Sequence, residues 1–475
     1  MPPLHERLTR EIREGPTGSK VGAFFDLDQT LLAGFSAGAF MRERLSSGRT
    51  TPKELIDGLY GTLSFAAGRT GFSGLMSATT AAYNGLAESV LEEIGEEVFL
   101  KHLATKIYPE SRALVEAHQQ AGHTVAIISS ATRYQAAPFA RDLGIEHVLC
   151  TELEVEDGVF TGEVVHPTCW GEGKADAARK IAAQEGVDLD ESYAYTDSHE
   201  DLPMLECVGR PRPLNPNRQL AQIAKERRWP VQRFESRGRA SWGDIMRTGL
   251  GFASFYPALA AGAAAGLLNG SMREAVNVGS AVWGDLATSF SGVDLRVEGE
   301  ENLWKRRPAI FIFNHQSGLD AVIMMKLVRR DVTGVGKKEL RSVPIMGPLA
   351  EATGAVFVDR ADTGKAIEAL KPAVEALKEG RSLMIAPEGT RSLTPRLGRF
   401  KKGAFHMAMQ AEVPIVPVVI RNALDALPKD GAVIRAATVE IIVLPPVDTD
   451  DWTVETIDDH IAAVRQLYLD VLNQD

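Results

Sequence analysis

Two carboxylates stand two positions apart in "VGAFFDLDQTLL" (21–32), directly behind an apolar run that ends at Phe25. Alternate residues of an extended chain share a side, so Asp26 and Asp28 are placed to face one site. Two acids there have two uses: to bind a divalent metal, or to divide nucleophile and acid/base roles. A second stretch, "IFNHQSGLDAVIM" (312–324), leaves an apolar run as abruptly and presents Asn314, His315 and Asp320. One histidine at a strand end is ordinary punctuation. The company it keeps further along the chain decides its meaning.

The elements that must position these groups alternate in type. Strand-like apolar runs at Val21–Phe25, Thr124–Ile128 and Tyr193–Thr196 each end in polar residues, with helical periodicity between them. That pattern predicts an open α/β sheet over 21–205, with ligands at the carboxyl ends of the strands. Residues 35–105 form a long helical insert. "RPRPLNPN", within 211–247, reads as a boundary followed by a basic helix, and 248–290 as Ala/Gly-rich helix in two pieces split near "NGS". From about 293 strands and helices alternate again, at Ala309–Phe313, Ala355–Val358, Leu383–Ala386, Ile415–Ile420 and Val439–Val443.

The bulk numbers agree with several folded parts. A chain of 475 residues exceeds one ordinary core, and 44% hydrophobic with 24% charged residues is a foldable composition. Three cysteines without paired spacing predict a reducing, cytoplasmic setting, and the charged opening "MPPLHERLTREIREG" has no apolar core of signal-peptide type. The net charge of −11 argues against nucleic-acid binding, yet Arg210–Arg247 carries ten Lys/Arg against three Asp/Glu. The uncharged stretch 248–271 follows at once, the order expected beside an anionic membrane surface.

Three more features surround the first carboxylate pair. Ser129 follows the strand in "VAIISSATR", Lys174 sits at a helix start in "GEGKADAARK", and "YAYTDSHEDLPML" brings Asp197 and Asp201. Together these resemble the haloacid dehalogenase superfamily, in its phosphoserine-phosphatase-like branch. The resemblance implies a Rossmann-like domain with a helical cap, at about 35–105, and Asp26 as a nucleophile that forms an aspartyl-phosphate. Asp28 would protonate the leaving oxygen and later activate water. Mg²⁺ would be held by Asp26, Asp197 and the main-chain carbonyl of Asp28, with Asp201 supporting, while Ser129 and Lys174 grip the phosphoryl oxygens. Gln29 stands where many relatives carry glycine. Phosphoserine-specific relatives place a carboxylate about nine residues after the nucleophile, and Phe35 stands there in this chain. The cap is therefore expected to suit an apolar phosphate rather than an amino acid.

After His315 and Asp320 come "GAVFVDR" (354–360), ending in Arg360, then "APEGTRS" (386–392) with Glu388, Gly389, Thr390 and Arg391, then "VPIVPV" (413–418). This order resembles the glycerolipid acyltransferases, most closely those acting on 1-acylglycerol-3-phosphate (lysophosphatidate). In this reading His315 removes the proton of the acceptor hydroxyl as that hydroxyl attacks an acyl thioester, and Asp320 fixes the imidazole tautomer. Arg360, Glu388 and Arg391, with Lys401 or Lys402, would form the acceptor's phosphate site, Glu388 by orienting an arginine. Asn314 and Gly389 would shape the turns. The donor would be acyl-CoA or acyl carrier protein.

The expected organisation is a phosphatase domain at 1–235, a basic and apolar helical membrane-associated linker at 236–291, and an acyltransferase domain at 292–475. The expected place is the cytoplasmic face of the cell membrane, held peripherally or monotopically by an interfacial helix pair or re-entrant hairpin at roughly 242–290. The rival expectation keeps the acyltransferase and makes the phosphatase-like domain regulatory or scaffolding.

Overall fold

Val21–Phe25 has no polar residue to turn toward water, and as strand β1 it is buried at every position. It is the centre of a sheet whose neighbours are β2 (Thr124–Thr132), β3 (His147–Thr151), β6 (Asp188–Thr196) and β7 (Arg210–Pro213), in the order β3-β2-β1-β6-β7. All four pairings are parallel. Asp26 and Asp28 thus leave the carboxyl end of the central strand. The computed structural model describes residues 4–46, 72–238, 240–342, 347, 351, 354–358 and 370–472. These fall into two units, Met1–Arg239 and Ala240–Asp475.

The "RPRP" expected as a boundary is the edge strand β7. Prolines lack the N–H that a central strand needs, but an edge strand tolerates them. Pro211 and Pro213 are buried, while the Arg210 and Arg212 guanidinium groups lie over the Tyr193 ring at 5.2 and 5.6 Å.

Above the sheet, the insert is described as α1 (Ser36–Ser46), α2 (Phe72–Thr80) and α3 (Glu88–Val98). A two-stranded hairpin, β4 (Leu153–Glu156) with β5 (Val159–Val164), joins it through a cluster of Leu91, Tyr134, Leu153, Phe160 and Val164. On the sheet's flanks lie α4 (Pro109–Gln120), α5 (Glu172–Glu185), which carries Lys174, and α6 (Arg218–Arg227).

The second unit begins with three helices: α7 (Trp242–Ala253), α8 (Phe255–Asn269) and α9 (Met272–Ser291). The segment expected as a linker therefore belongs, from Ala240 on, to this unit. Gly262 and Gly266 explain its small-residue composition. A β-carbon on Gly262 would stand 2.5 Å from the Ala275 carbonyl, and one on Gly266 2.7 Å from the Ala275 methyl. Helices this close need glycine at the crossing. The large side chains point the other way, and Trp242, Met246, Tyr256, Leu267, Leu268 and Met272 are all exposed. Trp242–Asn269 is long and apolar enough to cross a membrane, by length and composition.

The basic stretch does not form one surface element. Arg210 pairs with Glu191, Arg212 with Glu11 and Arg227 with Glu206 in the first unit, and Arg247 with Asp244 in the second. Four of the ten basic side chains expected to face an anionic membrane are thus paired within the protein.

A seven-stranded sheet follows, ordered β11-β10-β12-β9-β13-β14-β8. Its strands are β8 (Val293–Glu298), β9 (Ile310–Phe313), β10 (Val332–Lys337), β11 (Val356–Val358), β12 (Ser382–Ile385), β13 (Ile415–Ile420) and β14 (Ala437–Val443). Only the β13–β14 pairing is antiparallel. Central β9 is buried throughout, and the loop after it leads into α10 (Asp320–Val328).

Candidate functional site

The first unit gathers its charged groups where β1 and β6 end. Lys174 Nζ donates to Asp26 Oδ1 and to Asp201 Oδ2, each at 2.7 Å, and Thr196 Oγ1 donates to the same Asp201 oxygen at 2.6 Å. All four groups are buried. Burial, with the charges of Asp201 and Asp28, pushes the Asp26 carboxyl up to about 7 against the pull of Lys174. Burial, then Asp26 and Asp201, pushes Asp197 up to about 8. Burial alone would discharge Lys174, but Asp201 and Asp26 more than offset it and hold the ammonium well above its usual range. Asp28 is raised by burial, and its two hydrogen bonds from Ser36 oppose the shift. Ser129 is buried at the end of β2, where the Cys169 thiol lies against its amide.

Four carboxylates, Asp26 and Asp201 buried and Asp28 and Asp197 half-buried, gather near one ammonium, and oxygen donors of this kind fit a hard divalent cation. Among the described residues no three acidic, histidine or cysteine side chains are already drawn together to hold one. Lys174 takes the place between Asp26 and Asp201.

Gly173, the residue before Lys174, lines a cleft of 590 Å³ between the first turn of α2 and the loop entering α5. Phe72 and Trp170 stack there at 4.4 Å, and the Ser73 and Thr168 hydroxyls lie 3.1 Å apart. Its described lining holds no Asp, Glu, Lys or Arg. Phe35, nine residues after Asp26, is 66% exposed.

Behind the sheet runs a buried chain of hydrogen bonds: Tyr195 hydroxyl to His118 Nε2 (2.9 Å), His118 Nδ1 to His123 Nδ1 (2.7 Å), and His123 Nε2 to the Pro16 carbonyl (2.8 Å). A carbonyl only accepts, so His123 Nε2 carries hydrogen and its Nδ1 accepts. His118 must then donate from Nδ1 and accept the Tyr195 hydroxyl at Nε2. Both rings are neutral in this arrangement. Burial, then the neighbouring His123, holds His118 well below the usual histidine range, and burial lowers His123 too.

The second unit builds its site from main-chain amides. His315 Nδ1 donates to Asp320 Oδ2 at 2.7 Å, and the same oxygen accepts the Gln316 and Ser317 amides at 2.8 Å each. Asp320 is fully buried, and its Oδ1 has no hydrogen-bond partner among the described residues. A carboxylate on Nδ1 leaves Nε2 as the ring's acceptor. The His315 side chain is 28% exposed, so that nitrogen is within reach of a ligand.

Glu388 departs from expectation. Among the described residues no hydrogen bond joins it to an arginine; its oxygens accept the amides of His315 (2.7 Å) and Gly398 (2.9 Å), tying two loops together. Burial raises its carboxyl, while those two amides oppose the shift. The Ser392 amide also donates to the His315 carbonyl at 2.7 Å, closing "EGTRS" onto the histidine loop. Arg391 and Lys401 line this turn: a β-carbon on Gly318 would stand 3.5 Å from the Arg391 guanidinium, and one on Gly389 3.0 Å from Lys401 Nζ. Gly389 also has φ +75°, so both its backbone and its surroundings call for glycine. Lys402 instead pairs with Asp458 at 2.8 Å. Thr390 is exposed. Arg360 lies outside the described residues. The side chain of Asn314 pairs with the Ile420 amide and carbonyl, both at 2.7 Å, so it shapes the loop.

Residues 23–206 match the haloacid dehalogenase-like hydrolases, and residues 294–421 match the acyltransferases. A phosphoserine phosphatase of Mycobacterium tuberculosis is 34% identical over 240 residues, covering 48% of this chain and 76% of that protein. A 1-acyl-sn-glycerol-3-phosphate acyltransferase of Limnanthes douglasii is 37% identical over 187 residues. That match covers 39% of this chain and 66% of the plant enzyme, a little under two thirds of its length. The crystal structure of the 1-acyl-sn-glycerophosphate acyltransferase of Thermotoga maritima is similar at 24% identity and a TM-score of 0.41, covering 48% of this chain and 96% of that one.

Proposed function

Because the chain belongs to the haloacid dehalogenase-like hydrolases in its first unit and carries an acyltransferase domain in its second, we propose a bifunctional phospholipid-synthesis enzyme. Its second unit acylates the sn-2 hydroxyl of lysophosphatidate to give phosphatidate, and its first removes a phosphoryl group from an uncharged, partly apolar alcohol. The observation that carries this reading is the His315–Asp320 pair, held in one tautomer by a carboxylate that two amides fix.

In acyl transfer, His315 Nε2 takes the hydroxyl proton as the hydroxyl oxygen attacks the thioester carbonyl. The tetrahedral adduct collapses by breaking its carbon–sulfur bond, and the imidazolium returns the proton to the leaving thiolate. Asp320 stabilises the imidazolium between these steps. Arg391 and Lys401 meet the acceptor's phosphate. Glu388 keeps their loop against His315. The donor is acyl-CoA or acyl carrier protein.

In the first unit Asp26 is the nucleophile, Asp28 the acid/base, and Ser129 and Lys174 the phosphoryl clamp. Mg²⁺ would be held by Asp26, Asp197 and the Asp28 carbonyl, with Asp201 in support, and would offset the repulsion between phosphate and carboxylates. The described lining of the cleft at Phe72 and Trp170, which holds no Asp, Glu, Lys or Arg, and the exposed Phe35 support an uncharged leaving group. The exposed apolar face of α7 and α8 supports peripheral attachment to a membrane.

The test offers the full chain lysophosphatidate with acyl-CoA, and separately phosphoserine, lysophosphatidate and phosphatidate with Mg²⁺. Phosphatidate formation is expected from the first mixture, and phosphate release from a lipid ester but not from phosphoserine in the second. Efficient phosphoserine hydrolysis without lipid hydrolysis would overturn the substrate class.

A further inference from the structure

One buried residue beside the phosphatase centre has both its donors on a single carboxylate. Ser36 opens α1 and is fully buried. Its amide lies 2.8 Å from Asp28 Oδ1, and its hydroxyl 3.2 Å from Asp28 Oδ2. A serine at a helix start ordinarily accepts a hydrogen bond from the next turn. Here the hydroxyl donates outward instead, and the amide end of an eleven-residue helix points at the same acid.

The two carboxylates of "DLD" therefore answer to different parts of the unit. The Asp26 amide donates to the Tyr195 carbonyl of β6, and its side chain accepts Lys174 of α5. Both partners belong to the sheet and its flank. Asp28 is held through both oxygens by the first residue of the insert. Wherever α1 begins, the carboxyl of Asp28 must follow.

We propose that Ser36 is a positioning residue for the acid/base, through which the insert helix α1 sets proton delivery to the leaving group. The inference rests on the phosphatase reading above. In the first step an Asp26 oxygen bonds to phosphorus as the bond from phosphorus to the leaving oxygen breaks. That oxygen keeps the electron pair and takes the proton from Asp28. In the second step a water oxygen bonds to phosphorus and gives a proton to Asp28, and the phosphorus–Asp26 bond breaks to release inorganic phosphate.

Need for the acid depends on the leaving oxygen. An alkoxide is too basic to depart without a proton, whereas p-nitrophenolate departs as the anion. A misplaced Asp28 therefore slows alkyl esters far more than aryl esters. A loss of folding, or of phosphate binding, slows both alike.

The experiment compares kcat/KM of the full-length protein for n-octyl phosphate and p-nitrophenyl phosphate, both with Mg²⁺. This ratio reports the first step, before the phosphoenzyme is hydrolysed. Ser36→Ala is expected to lower it for the octyl ester by about ten- to a hundredfold, part of what a positioned acid supplies, and for the aryl ester by less than about threefold. Ser36→Thr, which keeps a hydroxyl, should recover most of the loss. Asp28→Asn should show the same preference for the aryl ester, and adding Ser36→Ala to it should change that preference no further. Equal losses on both esters, no loss on either, or a wild-type protein that cleaves only the aryl ester would each overturn the proposal. If Asp26→Asn keeps wild-type cleavage of both esters, the phosphatase reading itself fails, and that outcome is separate from the rest.

Discussion

The two sites stand at the carboxyl ends of central parallel strands, yet they hold their acids by opposite means. In the first unit Asp26 and Asp201 are held by an ammonium, Lys174, at 2.7 Å each. In the second, Asp320 and Glu388 are each held by two main-chain amides. The difference fits the charge that each proposed reaction would have to handle. Phosphoryl transfer brings an anion against a carboxylate nucleophile, so full counter-charge has to be present. Acyl transfer to a hydroxyl begins from an uncharged pair and needs a fixed tautomer and an open nitrogen. Dipoles suffice for that.

Replacing the proposed nucleophile breaks this comparison most completely. Asp26→Asn leaves an amide in the place of a carboxylate nucleophile and should lower phosphate release by at least about 10³-fold, with acyl transfer unchanged. His315→Ala should do the reverse, lowering phosphatidate formation by about 10²–10⁴-fold and sparing phosphate release. Both activities assayed on each variant decide the matter, and a joint loss would show that the sites are not independent.

A smaller effect separates amide-held from ammonium-held acids. Glu388→Gln keeps the size but offers an NH₂ to one of two donor amides, leaving a mismatched group in a buried place at a cost of about 1–3 kcal/mol. Acyl transfer should fall about tenfold and phosphate release should not change. An unchanged rate of phosphatidate formation would mean that the 398 turn does not depend on Glu388.

The His118–His123 pair sharpens the contrast through pH. Both histidines are lowered in the folded state, so the unfolded chain binds more protons below the ordinary histidine pKa of about 6.5. Stability of the first unit is thus fully present above that pH and lost as pH falls further. Its melting temperature should drop by several degrees between pH 7.5 and 5.5, and His118→Gln should flatten that slope. The second unit's melting should not respond to this substitution.

The remaining expected effect is on membrane attachment. Leu267→Ser with Leu268→Ser removes two of the most exposed apolar side chains, and each buried leucine contributes about 1.5–3 kcal/mol at an apolar interface. Flotation of the variant with anionic vesicles should weaken while catalysis in detergent is retained. Salt should matter little, because several arginines of the basic stretch are already paired. Equal flotation would remove α8 from the contact surface.

Strand ends and charged motif residues were legible in the sequence because their types are chemically demanding. Asp26, Lys174, His315 and Asp320 cannot be exchanged for much else, and the structure brings each into a hydrogen-bonded cluster at a strand end. β7 was not legible: two prolines and two arginines carry no strand signal, and their edge position became visible only beside Tyr193. The partners of Asp320 and Glu388 were hidden for another reason. A main-chain amide is offered by almost any residue, so Gln316, Ser317 and Gly398 leave no mark in composition. Thr196 and Ser36 are similar cases, common side chains whose importance is a matter of where the backbone sets them.

Asn314 carries a lesson about the chemical alphabet itself. Its side chain gives a hydrogen to the Ile420 carbonyl and takes one from the Ile420 amide, both at 2.7 Å, imitating one more rung of the β9–β13 ladder past the point where the strand ends. Only a carboxamide supplies a donor and an acceptor side by side in a plane. Aspartate offers two acceptors, leucine neither, and glutamine the right groups one carbon too far out. The histidine that follows begins its loop from a rung that a single amino acid can build.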